Sequence, residues 1–352
     1  MTAAGPEVLD AFPDALPTPL QPDPRSAPTL RWGILGTGWI AERFVAALQK
    51  LTTQEVVAVG SRTASSAEEF ARRFGIAHAH GSYEDLVADP TVDVVYVATP
   101  HNGHRPHAGL ALEAGKHVLI EKPITLNATE AQELADLALE RGLFCAEALW
   151  PLFTPKFDVI RQVLDAGMLC EISTVLGSYG TWFDADHRIQ RHDLAGGPLL
   201  DLGTYPLSLT GWVLGAPTEV VARGTEAPSG VNAQVSALLG YASGARGIVH
   251  TSILASTPVL LVVAGSEATL TISDGFSLPG PFTVLRTDGE RLEYTEPLIE
   301  YDGLVYQAAD VARRIIAGEL ETPYRPLRES VATMALIDEI RGQIGVVWDE
   351  ER

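Results

Sequence analysis

The stretch "RWGILGTGWIAERFVAALQKL" (31–51) limits the possible folds more than any other part of this chain. An apolar run stops at glycine, and Gly36, Gly38 and Ala41 form a small-residue turn. A helical pattern starts at once, with Ile40, Phe44, Ala47, Leu48 and Leu51 on one face. Small residues let backbone N–H groups, here around Thr37, Trp39 and Ile40, approach a pyrophosphate at the amino end of a helix. Tight packing turns share this motif, so its setting decides. "EVVAVG" (55–60), "TVDVVYVATP" (91–100) and "KHVLIEK" (116–122) read as further buried strands. Between and after them lie the helical segments "SSAEEFARRFG", "RPHAGLALEAG" and "ATEAQELADLALERG", the last capped by Asn127 and closed by Gly142. Strands alternating with helices imply parallel pairing through right-handed crossovers. Residues 31–149 are therefore expected to form a doubly wound α/β sheet, with ligands beyond its carboxyl edge.

Residues 150–352 read differently. After the helical "FTPKFDVIRQVLDAG" (153–167), β-rich segments run from "EISTVLGSYGTW" to "FTVLRTDGERLEYTE", parted by turns such as "SGAR" and "DGER". That predicts a second α/β domain around a large, mostly antiparallel sheet, with helices returning near the end. Residues 1–30 form a third region. The first 28 carry seven prolines and lack the basic start and apolar middle of a secretory signal. A flexible or extended arm is expected there, able to wrap a neighbouring subunit.

A net charge of -20 argues against nucleic acid or an anionic membrane as partner, yet leaves room for a small phosphate-bearing ligand. Cys145 and Cys170 make no disulfide framework, which suits a reducing cytoplasm. No apolar run approaches the roughly 18–20 residues of a membrane span.

Chemistry concentrates at strand ends. An NAD site expects a carboxylate about 20 residues past the glycines. This chain has "VGSRT" there, so Ser61, Arg62 and Thr63 favour the 2′-phosphate of NADP(H), with NAD(H) as the alternative. Thr99, Pro100, His101 and Asn102 follow another strand and are expected to line the nicotinamide pocket; His104 is read as satisfying backbone groups beside it. The spacing of His101, His104 and His107 invites a metal reading, but no carboxylate or thiolate accompanies them and no metal is expected. "LIEKPIT" (119–125) ends a strand with Glu121, Lys122 and Pro123 in a chain of four lysines and 21 arginines. In "GGPLLDLGTYP", Asp201 and Tyr205 flank a Gly-Thr pair, and Pro206 puts Tyr205 near a helix start. "TWFDADHRIQRHDL" (181–194), with Trp182 and Arg188, reads as a substrate-facing loop.

Together, "GILGTGWIA", "AGKHVLIEKPITLNATEA", "EALWPLFTP" and "GGPLLDLGTYPL" resemble the glucose–fructose oxidoreductase / inositol dehydrogenase / rhizopine-catabolism (Gfo/Idh/MocA) family. Within it, "EALW" and "DLGTYP" look most like the dihydrodiol dehydrogenase and D-xylose dehydrogenase branch. The resemblance covers about Arg31 to Trp348. It implies an NADP(H)-dependent oxidoreductase acting on a CH–OH or C=O group of a sugar, cyclic polyol or dihydrodiol. Lys122, Asp201 and Tyr205 would be catalytic, with Lys122 lowering the pKa of Tyr205, and Trp150, Trp182 and Arg188 would meet substrate. It also implies a homodimer or homotetramer formed through the C-terminal sheet. Two other readings share the fold: hydride exchange between two sugars on a tightly held cofactor, and a ligand-sensing regulator without catalysis. An acid/base set at Lys122, Asp201 and Tyr205 disfavours the regulator.

Overall fold

A computed structural model describes residues 13–273, 275–297 and 299–349. Six parallel strands build the first sheet: β1 (Arg31–Leu35), β2 (Glu55–Gly60), β3 (His78–His80), β4 (Val94–Val97), β5 (His117–Glu121) and β6 (Cys145–Ala148). Their order is β3-β2-β1-β4-β5-β6, so the strand sequence reverses beside β1. A crevice opens at such a reversal, past the carboxyl ends. The helices α1 (Trp39–Leu51), α2 (Ala64–Phe74), α3 (Tyr83–Val87), α4 (His104–Glu113) and α5 (Ala128–Arg141) connect the strands. Continuous apolar strands such as β4, buried at every residue, require cover on both faces. Helix α1 provides some of it by burying Phe44, Val45, Ala47 and Leu48.

The chain then crosses through α6 (Pro155–Asp165) to eight strands: β7 (Ile172–Gly180), β8 (Glu219–Glu226), β9 (Asn232–Gly240), β10 (Arg246–Ser252), β11 (Leu260–Gly265), β12 (Ala268–Ile272), β13 (Phe282–Arg286) and β14 (Arg291–Tyr294). They pair in the order β14-β13-β12-β11-β7-β10-β9-β8. Only β7–β10 is parallel; the other neighbours are antiparallel. Helices α7 (Pro198–Asp201) and α8 (Thr204–Leu214) lie between β7 and β8, and α9 (Val305–Ala317) and α10 (Leu327–Ile344) close the chain. The mixed architecture is the α/β class the residue pattern predicts.

Two details differ from the sequence reading. The short β3 and α3 carry too few apolar residues to show in a periodicity count. The Pro-rich arm, from Pro13 onward, lies against its own chain. The Leu20 N–H donates to Asp158 Oδ2 at 2.6 Å, Gln21 Nε2 to the Phe153 carbonyl at 2.8 Å, and Arg313 Nη2 to the Asp23 carbonyl at 2.8 Å. Residues 1–12 of the arm lie outside the described residues.

Candidate active site

The site begins where β1 meets α1. Gly36 has φ +103°, and a Cβ there would lie 2.6 Å from the Ala98 carbonyl oxygen, so only glycine lets the turn pass so close to the end of β4. Gly38 caps α1 without a side-chain hydrogen bond, and a Cβ on it would meet nothing within 4 Å. The first turn of a 13-residue helix thus opens onto free space with its N–H groups lacking a side-chain cap, which suits an anionic pyrophosphate. This space is one end of a cavity of about 820 Å³. Gly36 to Ile40, Ser61, Arg62, Thr99, Pro100, His101 and His104 line it, and a dinucleotide fits these groups. Ser61 is buried at the end of β2, its N–H donating to the His80 carbonyl at 3.1 Å, while Arg62 is exposed.

The other end of the cavity holds the charged groups. Lys122 follows β5 through a cis peptide to Pro123. Its Nζ donates to the Asp201 carbonyl oxygen at 2.7 Å and to Asp201 Oδ1 at 2.9 Å. Arg188 Nη2 reaches the same carboxylate at 2.9 and 3.2 Å, and His101 Nε2 lies 3.8 Å from Oδ1. Asp201 ends the short α7, where Gly197 (φ +104°) turns the chain in front of Pro198. Burial pushes its carboxyl pKa up, but Lys122 and Arg188 outweigh burial and hold it well below the usual range. Asp201 is therefore ionised and doubly paired. His101 is neutral, because burial takes it down to about 3.

Tyr205 sits in the first turn of α8, as Pro206 predicts. Lys122 Nζ lies 5.0 Å from the centre of its ring, over the face, and does not bond its hydroxyl. Burial and then Glu121 push the Tyr205 hydroxyl well above its ordinary pKa, with Trp150 acting in the opposite direction. The net direction is upward, against the lowering expected from Lys122, and the phenol is neutral. Glu121 is buried behind the lysine, accepts from the Tyr96 hydroxyl, and is raised by burial to about 7.

Three residues expected in the site fall elsewhere. Trp182 is 58% exposed and does not line the cavity; the adjacent Phe183 does. Thr63 caps α2 by accepting the Ser66 N–H. Asn102 also lies off the cavity wall, its Nδ2 donating to the Asp193 carbonyl at 3.2 Å. The His104 ring lies 2.9 and 2.7 Å from the carbonyls of Thr99 and Pro123, and the residue also borders the cavity.

Sequence reasoning missed Tyr179, Phe183, His187 and Tyr301, which complete an aromatic wall with Trp150 and Tyr205. Phe183 and His187 lie in the loop 181–194 read as substrate-facing, which did not show which of its side chains turn inward, while Tyr179 and Tyr301 lie outside that loop and share no motif. It also missed a buried ion pair behind the site. Glu147 Oε1 accepts the Ile124 N–H at 3.0 Å, two residues past Lys122. Glu147 Oε2 accepts from Arg325 Nε at 2.8 Å, and Arg325 Nη2 donates to Ser208, one turn beyond Tyr205, at 3.2 Å. A glutamate inside the wholly buried "CAEA" strand was the available signal.

An uncapped helix amino end, a glycine turn at the strand reversal and a lysine–carboxylate–tyrosine group across one cavity define an NAD(P)-dependent oxidoreductase. The chain belongs to the Gfo/Idh/MocA oxidoreductase family: residues 30–148 match its NAD-binding Rossmann fold and residues 157–271 its C-terminal domain. Among curated relatives, mouse (Mus musculus) trans-1,2-dihydrobenzene-1,2-diol dehydrogenase is 37% identical and the human (Homo sapiens) protein 35%. Each alignment covers 92% of this chain and 99% of the relative. A 3-ketoreductase from Actinomadura kijaniata, solved with NADP and TDP-benzene, superposes with TM-score 0.81 at 29% identity, covering 90% of this chain and 98% of that one. No helix among the described residues is long and apolar enough to cross a membrane.

Proposed function

We propose that this enzyme transfers hydride to or from the CH–OH/C=O carbon of a sugar, cyclic polyol or dihydrodiol, with NADP(H) preferred. The observation that carries the reading is the Lys122 ammonium, held by Asp201 inside an aromatic-walled cavity that runs on to the α1 amino end. Aromatic faces suit the flat C–H surfaces of a cyclic diol or a sugar ring. The names of the relatives point to the same chemistry.

A bound dihydronicotinamide supplies the hydride in the reducing direction. As hydride reaches the carbonyl carbon, the C=O π pair moves onto oxygen, where the Lys122 ammonium stabilises the growing negative charge. The neutral Tyr205 phenol then gives its proton to that oxygen. Solvent returns the proton to Tyr205. Asp201 orients Lys122 and, with Arg188, fixes the loop that closes the cavity. Oxidation runs the same steps in reverse.

NADP(H) preference rests on Ser61 and Arg62 standing where an NAD site expects a carboxylate. A charge-assisted hydrogen bond is worth about 1.5–3 kcal/mol. Arg62→Ala is therefore expected to raise KM for NADPH roughly 10- to 150-fold and to leave KM for NADH nearly unchanged. The assay is absorbance at the dihydronicotinamide band with a panel of sugars, keto-sugars and dihydrodiols. Equal losses with both cofactors would refute the 2′-phosphate role, and no turnover with any panel member would refute the reaction.

The same reading includes self-association through the second sheet. Its outward face carries an unbroken apolar row, with Val221 opposite Leu238, Leu238 opposite Ile248, Ile248 opposite Leu176, and Leu176 opposite Val262. Val221, Leu238 and Ile248 are 44–46% exposed. At a net charge of -20, copies of the chain repel each other except across such an uncharged patch. A second copy is the occupant that fits, forming a dimer or a tetramer. Ile248→Lys combined with Leu238→Lys is expected to give monomers in sedimentation velocity. An unchanged sedimentation coefficient rules this face out.

A further inference from the structure

We propose that the free edge of the first sheet carries a divalent-metal site in which His78 Nδ1, His80 Nε2 and Asp89 Oδ2 ligate one ion of the zinc type. Period-two alternation puts His78 and His80 on the same face of β3, which pairs only with β2 among the described strands. The loop after α3 brings Asp89 to them. Its Oδ2 lies 2.6 Å from His78 Nδ1 and 3.0 Å from His80 Nε2, and the three ligand atoms all lie within 4.8 Å of one another. No cofactor or substrate role engages these side chains, and none of the three lines the cavity.

The carboxylate is already aimed. Asp89 is buried, and its Oδ1 accepts the Thr91 N–H at 2.8 Å and the Thr91 hydroxyl at 2.6 Å, which leaves Oδ2 for the imidazoles. Such an outer hydrogen bond orients a ligand before the metal arrives. Two imidazoles and one carboxylate suit Zn²⁺ or Co²⁺, with remaining positions for water. Metal–ligand bonds of about 2.0–2.2 Å separate ligand atoms by roughly 3.3 Å. The rings must therefore open by less than about 1 Å, and the side chains of His78 and His80, 43% and 23% exposed, are free enough to do so.

In the metal-free protein the imidazoles hydrogen-bond the carboxylate. The ion takes the place of those contacts, and binding releases any proton the two ligand nitrogens carry. The Lys116 ammonium, bonded to the carbonyls of Asp89 and Val92, opposes added positive charge, so micromolar affinity is expected. An ion here would tie β3 to the loop before β4. It would thereby stiffen the strand whose His80 carbonyl holds the Ser61 N–H.

The test is a Co²⁺ titration of the chelator-treated full-length protein, followed by d–d absorption and metal analysis, with Zn²⁺ as competitor. One ion per chain with Kd on the order of micromolar is expected. His78→Ala is expected to weaken binding at least about tenfold without changing kcat. Asp89→Asn should abolish the d–d bands. Since Asp89 is buried and its variant can misfold, the half-exposed His78 keeps the test decisive. Absence of d–d absorption, or equal binding by wild type and His78→Ala, overturns the proposal; equal binding would place the ion elsewhere, for instance at His101 and His104.

Discussion

Lys122→Met is expected to lower kcat by at least about a thousandfold, or about 4 kcal/mol of transition-state stabilisation, with the Kd for NADPH nearly unchanged. Methionine keeps the length and apolar stem of the side chain but removes the only ammonium among the described residues that line the cavity. Asp201 keeps its pairing with Arg188 at 2.9 Å, so the variant is not left with an uncompensated buried carboxylate. Loss of activity can then be assigned to the missing cation and not to a collapsed site. Stopped-flow single turnover and fluorescence titration with NADPH separate the chemical step from binding. If the variant retained more than about a tenth of wild-type kcat, a loss below about 1.4 kcal/mol, the catalytic role of Lys122 would be wrong.

Arg325→Met is expected to destabilise the protein by about 3–5 kcal/mol, read as a lower denaturation midpoint. The side chains of Arg325 and Glu147 are 2% and 1% exposed, so removing the guanidinium strands a carboxylate where water cannot reach it. Ser208 and Thr333 also lose their donor. The double variant Glu147→Gln/Arg325→Met should recover much of the loss, since glutamine still accepts the Ile124 N–H and carries no charge. A single variant as stable as wild type would show that water or another cation replaces Arg325. The pair also joins the segment after Lys122 to α8, the helix of Tyr205. Any activity lost by the double variant at a temperature where it stays folded measures how far the pair sets the distance between those two side chains.

The first domain is legible in the sequence because its rules are local. A parallel strand buried on both faces must be apolar throughout, as "VVYV" is, and the glycine turn follows directly on the first strand, Arg31–Leu35. Lys122, Asp201 and Tyr205 are legible for a related reason: each sits in a short motif whose proline or glycines fix the backbone around it. Trp182 shows the limit. Adjacent residues of an extended loop face opposite ways, and nothing in "TWFD" tells which aromatic turns inward; the fold chose Phe183.

The sequence by itself thus determined the class of fold, the cofactor crevice and the candidate catalytic side chains, because close-range sterics and periodicity write these into consecutive residues. Tertiary structure alone decided which groups meet. It brought Arg188 onto the Asp201 carboxylate beside Lys122, set Lys122 over the ring of Tyr205 with its hydrogen bonds going to Asp201, and paired Glu147 with an arginine 178 positions later. It also gathered His78, His80 and Asp89 at one sheet edge. Such pairings depend on where whole elements pack. The electrostatic energy of each falls off with distance in space, and the number of residues between partners does not enter it.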